Sequence, residues 1–323
     1  EWELRFLGFV NLKYIFEILQ IPPVNTVDHI SFIPDFHEFK AGYTHGVIFV
    51  LPMAFIEYFF GITDSQIYYW IRHYFNHLIF LIANFYFFLI IKQQYNDWKI
   101  GIFGALFLFL SPRFFAESFY NHKDIIFLSL FIINLYYGLT FLRFPTIKNS
   151  ILFALTTALS IDVRIMGIII TPIIVTFAYL KYLRNKNAAI LKQISIYLVL
   201  FPLITILFWP FLWENPFTNF IYAFKNLGSY GWEGYNLYLG KYYEASNLPW
   251  HYVFIWIFIT TPIFYLFLFF YASVNFISRF GKRLIKIDDQ KNFNDFWRTE
   301  SELNDLIANL LFWMPIFIVI LLN

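Results

Sequence analysis

The sequence predicts an all-α polytopic membrane protein, and its composition indicates this fold class in three ways. Of the 323 residues, 59% are hydrophobic, 24% are aromatic and only 14% are charged. Soluble domains carry about 45–50% apolar and about 25% charged residues. The polar side chains are therefore too few to cover a soluble globule of this size. Disordered chains, coiled coils and ordinary cytosolic enzymes are excluded, and a protein with several membrane-spanning helices remains.

Charge and missing motifs exclude several kinds of site. The net charge of +2 creates no field that would bind nucleic acid. The chain has no cysteine, which excludes disulfides, iron–sulfur clusters, thiolate zinc sites and cysteine nucleophiles. Glycine-rich nucleotide loops and the motifs of zinc proteases and serine hydrolases are also absent. His73 and His77 lie four residues apart, but their aromatic neighbours favour helix packing over metal binding. We expect neither a metal nor a cofactor.

Five apolar stretches predict membrane spans, each of which needs about 20 apolar residues. They are residues 73–91, 125–142, 189–213, 252–275 and 305–322. Two further stretches are apolar but unusual. Residues 100–111 are short, and residues 151–180 carry Asp162 and Arg164 in their middle.

Basic clusters predict which ends of the spans face the cytoplasm, because Lys and Arg accumulate there. The clusters are Lys92/Lys99, Arg143/Lys148, Lys181/Arg184/Lys186/Lys192 and residues 279–298. If all four are cytoplasmic, residues 100–142 and 149–180 must each form a helical hairpin that turns on the other side. That other side then carries only 9 of the 23 basic residues but 14 of the 21 acidic residues, as the rule requires.

Two long segments then lie at the outer face, residues 1–72 and 214–251. Within the first, residues 47–61 are apolar but short, and predict an interfacial helix in the membrane plane. The second is rich in Trp, Tyr, Gly and Asn, which suits an aromatic-lined cleft or an aromatic belt. We expect residues 1–323 to form a single transmembrane domain that is truncated at both ends, since the chain starts at Glu1 without Met.

The turns of the two hairpins concentrate charged side chains. The first turn reads SPRFFAESFYNHKDI and the second reads SIDVRIMG. Ionisable groups held close to hydrocarbon are costly, and they usually pair with one another or face a polar cavity. The sequence therefore predicts one recessed polar site that the two turns share. Its charged members are Arg113, Glu117, Lys123, Asp124, Asp162 and Arg164.

Structural roles are alternatives for each of these charges. Asp162 and Arg164 can pair with each other and fix the second hairpin, and Arg113 can extend to headgroup phosphates. Lys123 and Asp124 are adjacent, so they point in different directions on a helix. Asp124 therefore needs another partner or a ligand.

The segment SPRFFAESFYNHKDIIF resembles the first luminal or periplasmic hairpin of GT-C glycosyltransferases. The most similar branch is family 39, which uses polyprenyl-phosphate sugars and contains protein O-mannosyltransferases and the aminoarabinose transferase of lipid A. Three more stretches follow in the family's order: THGVIFVLPMAFIEYFFGITDSQIYYWIRHYFNHLIF, ALSIDVRIMGIIITP and YLGKYYEASNLPWHYVFIWIFITTP. The resemblance implies a GT-C-like helical bundle with short hairpins and large outer-face loops.

The resemblance also implies roles for individual residues. Asp124 matches the family's second acidic position, and Arg164 matches a basic position that contacts the lipid phosphate. The family's first acidic residue would precede this chain, which leaves Glu1 and Glu3 as the candidates for that position. The predicted site is then catalytic at Asp124 and Glu1, phosphate-binding at Arg164, Lys123 and Arg113, and substrate-binding at Glu117, Trp250 and His251.

The implied activity is transfer of a sugar from a polyprenyl-phosphate donor to a hydroxyl group of a lipid, glycan or protein acceptor. The reaction would invert the anomeric centre in one displacement and would need no bound metal. The protein is expected to be a multi-pass protein of the bacterial plasma (inner) membrane, with its site on the non-cytoplasmic face. Two alternatives from other classes remain: a transporter or flippase of lipid-linked sugar, and a non-catalytic membrane scaffold.

Overall fold

The chain is an all-α polytopic membrane protein, as the sequence predicts. A computed structural model describes residues 2–22, 33–38, 45–228, 234–285 and 297–322. The chain divides into two compact units, Glu1–Ser229 and Tyr230–Asn323. The helices of the first unit are α1 (Trp2–Ile18), α2 (Val50–Phe59), α3 (Ser65–Tyr95), α4 (Trp98–Phe109), α5 (Pro112–Glu117), α6 (Asp124–Arg143), α7 (Ile147–Val163), α8 (Ile170–Asn185), α9 (Ala188–Phe208) and α10 (Pro216–Gly228).

The second unit begins with a small antiparallel hairpin and continues as helices. Its strands pair in a register that places Tyr235 opposite Glu244 and Tyr238 opposite Lys241. The elements of this unit are β1 (Tyr235–Tyr238), β2 (Lys241–Glu244), α11 (Tyr252–Thr260), α12 (Ile263–Ile285) and α13 (Glu300–Leu322).

Five helical segments in the described part of the chain are long and apolar enough to cross a membrane. They are Ser65–Tyr95, Asp124–Arg143, Ile165–Asn185, Ala188–Phe208 and Ile263–Lys282. The predicted span over 252–275 is wrong as a single helix, because the chain leaves the helical conformation at Thr261, just before Pro262. Proline lacks an amide hydrogen and disfavours a helical residue before it, so α11 ends and α12 begins there.

The helices of both predicted hairpins are present. In the first, α4 and α6 both pack against α3, and the short helix α5 lies in the turn between them. In the second, α7 and α8 are separated by Arg164 and a 3-10 turn, Ile165–Ile169. Helix α7 packs between α6 and α9, which brings the turn of the second hairpin close to the start of α6.

Helix α1 lies within the segment that the sequence predicts as a loop. The apolar pattern does not predict this helix, because Arg5 and Lys13 interrupt it. Both side chains are nevertheless buried. The Lys13 ammonium donates to the Ile33 carbonyl at 2.9 Å and to Asp35 at 2.7 Å. These partners satisfy the buried ammonium group, so a charged residue is compatible with a buried helix. The partners lie about 20 residues away in the sequence, and the pattern of α1 alone does not reveal them.

A buried ion cluster joins α1, α2 and α3. The two carboxylate oxygens of Glu57 accept from Nε of Arg5 and from Nε of Arg72, each at 2.8 Å. All three side chains are only 1% exposed. The Arg5 guanidinium also lies 3.8 Å from the centre of the Tyr68 ring. Helix α2 is the helix predicted within 47–61, and this cluster fixes it against its neighbours. Its position in the membrane plane stays a prediction.

Candidate functional site

The two charged turns of the first unit meet at an ion pair between Arg164 and Asp124. The Arg164 Nη2 group donates to the Asp124 Oδ1 atom. The pair is open to solvent, since the side chains are 39% and 52% exposed. Arg164 is thus the partner that Asp124 requires, and a ligand arriving from solvent can reach both groups.

A chain of hydrogen bonds continues from this pair along the first turn. The Asn121 amide donates to Oδ2 of Asp124 at 3.0 Å and to Oε2 of Glu117 at 3.1 Å. Nε of Arg113 donates to the other Glu117 oxygen at 3.0 Å. The predicted site residues Arg113, Glu117, Asp124 and Arg164 are therefore connected in one network, and they are linked by Asn121, a polar residue of the first turn that was not among the predicted site residues.

Local sequence explains why the first turn holds this shape. Pro112 occupies the first turn of α5, where its missing amide hydrogen costs nothing, and Ser111 precedes it in extended conformation. The Asn121 side-chain oxygen accepts from the Asp124 amide at 3.0 Å, one of the free N–H groups at the start of α6. Asp124 lies in the first turn of this helix, where the helix dipole stabilises a carboxylate.

Arg164 reaches the site because the helix ends immediately before it. Val163 is the last residue of α7, and Arg164 has extended backbone angles, with φ −147° and ψ 128°. The chain then enters the 3-10 turn that leads to α8. A continuous helix would turn the guanidinium along the α7 surface, so this break directs Arg164 towards the first turn.

Asp162 has a different role from Arg164, and the alternative in which they pair is wrong. Its Oδ1 atom accepts from the Ile48 amide at 2.7 Å, and its side chain is buried. Its Oδ2 atom is buried without a hydrogen-bond partner. The segment leading into α2 lies so close here that a Cβ atom on Gly46 would collide with the Asp162 carbonyl oxygen. Asp162 thus fixes the segment before α2.

Lys123 adds a half-buried cation beside the ion pair. Burial lowers the pKa of the Lys123 ammonium and the nearby Arg164 charge lowers it further, against the opposing fields of Asp124 and Glu3. Glu3, on the exposed start of α1, is thus close enough to act on the site electrostatically.

Three predicted site residues lie outside the described part of the first unit. Glu1 lies outside the described residues. Trp250 and His251 belong to the second unit, where Trp250 is 70% exposed and His251 Nδ1 lies 2.5 Å from the Tyr238 hydroxyl oxygen. Their predicted role in substrate binding stays a prediction.

An apolar cavity of about 290 Å³ lies in the first unit near the second turn. Ile161 and Ile168, which flank Arg164 in sequence, form part of its wall. The C-terminal half of α9, Leu212 and the start of α10 supply the rest, including Phe201, Phe217 and Phe220. Such a cavity accommodates hydrocarbon and offers almost no polar group.

Arg164, Lys123 and Asp124 bring two partly exposed cations and one carboxylate together, so this part of the network is chemically suited to bind an anion and to accept a proton. In the described ranges, no group of three or more His, Asp or Glu side chains could hold a metal ion. The chain matches no family model, no curated protein and no solved structure.

Proposed function

We propose that the protein is a membrane glycosyltransferase that moves a sugar from a polyprenyl-phosphate donor to a hydroxyl acceptor. The contact between Arg164 and Asp124 carries this proposal, because it combines an anion-binding group with a potential base at an exposed site. We propose a bacterial plasma membrane as its location, and we assign the reaction to the non-cytoplasmic face on the charge asymmetry of the sequence.

The donor phosphate would take the place of Asp124 on Arg164. An ion pair as exposed as this one contributes only about 0–1 kcal/mol to stability, so a phosphate can displace the carboxylate at little cost. The guanidinium forms two parallel hydrogen bonds with a phosphate, and Lys123 adds a point charge beside it. Displacement also frees the Asp124 carboxylate for the acceptor.

The apolar cavity supports a lipid-linked donor over a soluble one. Its wall includes Ile161 and Ile168, three residues before and four residues after Arg164. A lipid chain attached to a phosphate at Arg164 would thus find hydrocarbon-compatible surface nearby, whereas a soluble donor would gain nothing from it.

The transfer is a single displacement, in which one bond forms at the anomeric carbon and one bond breaks. Asp124 accepts the proton of the acceptor hydroxyl, whose oxygen forms a bond with the anomeric carbon. The bond between that carbon and the phosphate oxygen breaks, and its electron pair leaves on the lipid monophosphate. Arg164 and Lys123 stabilise the negative charge that grows on the leaving group. The anomeric configuration inverts.

A flippase of lipid-linked sugar is the second candidate, and a buried polar network favours it. Asn134, in the middle of α6, accepts from the hydroxyls of Thr156 at 3.2 Å and Thr157 at 2.9 Å. The Tyr197 hydroxyl of α9 lies 3.2 Å from Thr157 and 2.6 Å from Thr171. Polar groups at membrane depth can line a path, but uncharged and mutually bonded ones also hold helices together.

Replacement of Arg164 tests the donor site. We expect Arg164→Ala to reduce kcat/KM for a polyprenyl-phosphate sugar by about 10- to 100-fold, the worth of hydrogen bonds to a charged group. Arg164→Lys should lose less, since it keeps the charge. Binding of undecaprenyl phosphate alone should weaken in parallel, measured with purified protein in detergent.

Arg143→Ala is the matched control, because Arg143 lies at the other end of α6 and bonds to Gln93 at 2.9 Å. Equal donor binding by the Arg164 and Arg143 variants would remove Arg164 from the site. Turnover in detergent separates the two candidate functions, since sugar transfer needs no sealed membrane and flipping does.

A further inference from the structure

The β-hairpin of the second unit presents one packed face and one exposed apolar face. Cross-strand partners point to the same side, so Tyr235, Leu237 and Tyr242 share a face with Glu244. These three side chains are 66%, 58% and 73% exposed. On the opposite face Tyr238 is 3% exposed and its ring packs at 5.1 Å from that of Tyr252. The exposed face is therefore unpartnered within this unit.

The two-residue turn of the hairpin is also apolar, at a position where apolar residues are unfavourable, and the exposed Lys241 follows it on the opposite face. Leu239 and Gly240 form the two-residue turn, with φ values of 49° and 78°. Turns with two positive φ values prefer Asn, Asp or Gly at both positions, because a Cβ atom is crowded against the following carbonyl oxygen in this conformation. Leu239 nevertheless occupies the first position and is 68% exposed. In water, this leucine contributes strain and exposed hydrocarbon.

Polarity changes along the exposed face from the base of the hairpin to its tip. The base carries Glu244 opposite Tyr235, the middle carries Tyr242 opposite Leu237, and the turn beyond them carries Leu239. The boundary between water and the acyl chains of a membrane changes from polar to apolar in the same way. A flat protein surface has no such change in polarity. Four residues of strand extend about 13 Å, which is comparable to the 5–10 Å depth that interfacial elements reach.

The hairpin lies beside a helix that leads directly into a candidate span. Tyr238, next to the turn, packs against Tyr252 in the first turn of α11. Helix α11 is apolar along its nine residues, and the candidate span Ile263–Lys282 follows it. The tip of the hairpin is therefore close to the place where this part of the chain meets the membrane.

We propose that the hairpin is a membrane-interface anchor, with Leu239 inserted at the boundary of the acyl chains and Glu244 in water. Tyr235 and Tyr242 lie between them at headgroup level, where amphipathic rings are favoured. The anchor holds the second unit at a fixed depth beside α11. This proposal is independent of the proposed sugar transfer. It predicts that the exposed face of the hairpin contacts lipid and not a protein partner.

Single spin labels test this anchor without background, because the chain contains no cysteine. We expect a label at Leu239→Cys, in proteoliposomes of phosphatidylethanolamine and phosphatidylglycerol, to be accessible to oxygen and protected from a water-soluble nickel chelate. The oxygen-to-nickel accessibility ratio should be severalfold higher than at Glu244→Cys, the matched position at the base of the same face.

Equal oxygen-to-nickel ratios at both positions, at values typical of water, would overturn the proposal. The exposed face would then be assigned to contact with a protein partner. A label at Leu239 that is shielded from both reagents would also overturn it, since that result indicates protein contact. As a second readout, the variant Leu239→Asn suits the turn conformation and replaces the apolar side chain with a polar one. When it is introduced with a label at Tyr242→Cys, the oxygen-to-nickel ratio of that label should fall in the proteoliposomes, and an unchanged ratio would contradict insertion through Leu239.

Discussion

Asp124→Asn is expected to reduce sugar transfer by about 10²- to 10⁴-fold, the usual contribution of a general base. The amide cannot accept the proton of the acceptor hydroxyl, although its oxygen still accepts a hydrogen bond from Arg164. Since the side chain is 52% exposed, the variant should insert and accumulate like the original protein. The measurement is the rate of transfer from a polyprenyl-phosphate sugar by purified protein, compared with its thermal unfolding midpoint.

Asp97→Asn is the matched control for this change. Asp97 caps α4 by accepting from the Lys99 amide at 2.8 Å, and asparagine caps a helix equally well. The control should therefore keep full activity. Equal transfer rates for the Asp124 and Asp97 variants would exclude Asp124 as the base. Loss of transfer together with loss of folded Asp124→Asn protein would instead assign it a structural role.

Glu57→Ala is expected to destabilise the first unit by about 3–5 kcal/mol, because it leaves Arg5 and Arg72 buried without a counter-charge. Both guanidinium groups already have buried nitrogen atoms without a hydrogen-bond partner. Without Glu57, the two cations also repel each other. The thermal unfolding midpoint in detergent, followed by size-exclusion chromatography of heated samples, measures this effect.

Two further variants separate the unpaired charge from lost packing. Glu17→Ala should change stability by no more than about 0.5 kcal/mol, because Glu17 is partly exposed and lies 4.0 Å from Lys13. The triple variant Arg5→Met, Glu57→Leu, Arg72→Met removes the whole cluster and should recover most of the lost stability. If Glu57→Ala unfolds at the same midpoint as Glu17→Ala, the ion cluster does not stabilise the first unit.

Properties that depend on local composition were predictable from the sequence. Runs of apolar residues predict α3, α6 and α9, since a membrane span is defined by length and hydropathy. The break at Pro262 also had a local signal, because proline disfavours a helical residue before it. Topology predicted that the two turns could share a site: if both hairpins begin and end on one side, both turns lie on the other.

Partners that are distant in sequence were not predictable. Arg5 and Glu57 are 52 residues apart, and nothing in either segment indicates that they pair. Helix α1 was missed for the same reason, since buried charges look like loop residues until their partners are known. One signal was available for the second turn. Asp162 and Arg164 are two residues apart, so on a helix they do not face each other, which disfavours their pairing.

The contact between the two turns can be measured directly by cross-linking in native membranes. A pair of cysteines at Asp124 and Arg164, in this chain without native cysteine, should be joined rapidly by a short bifunctional thiol reagent. Asp124→Cys with Lys186→Cys is the control, because α8, with 16 residues and a rise of about 1.5 Å per residue, separates Lys186 from the second turn. Efficient joining of the first pair alone is the expected result. Failure of the first pair to react, with both cysteines accessible to the reagent, would contradict a shared site.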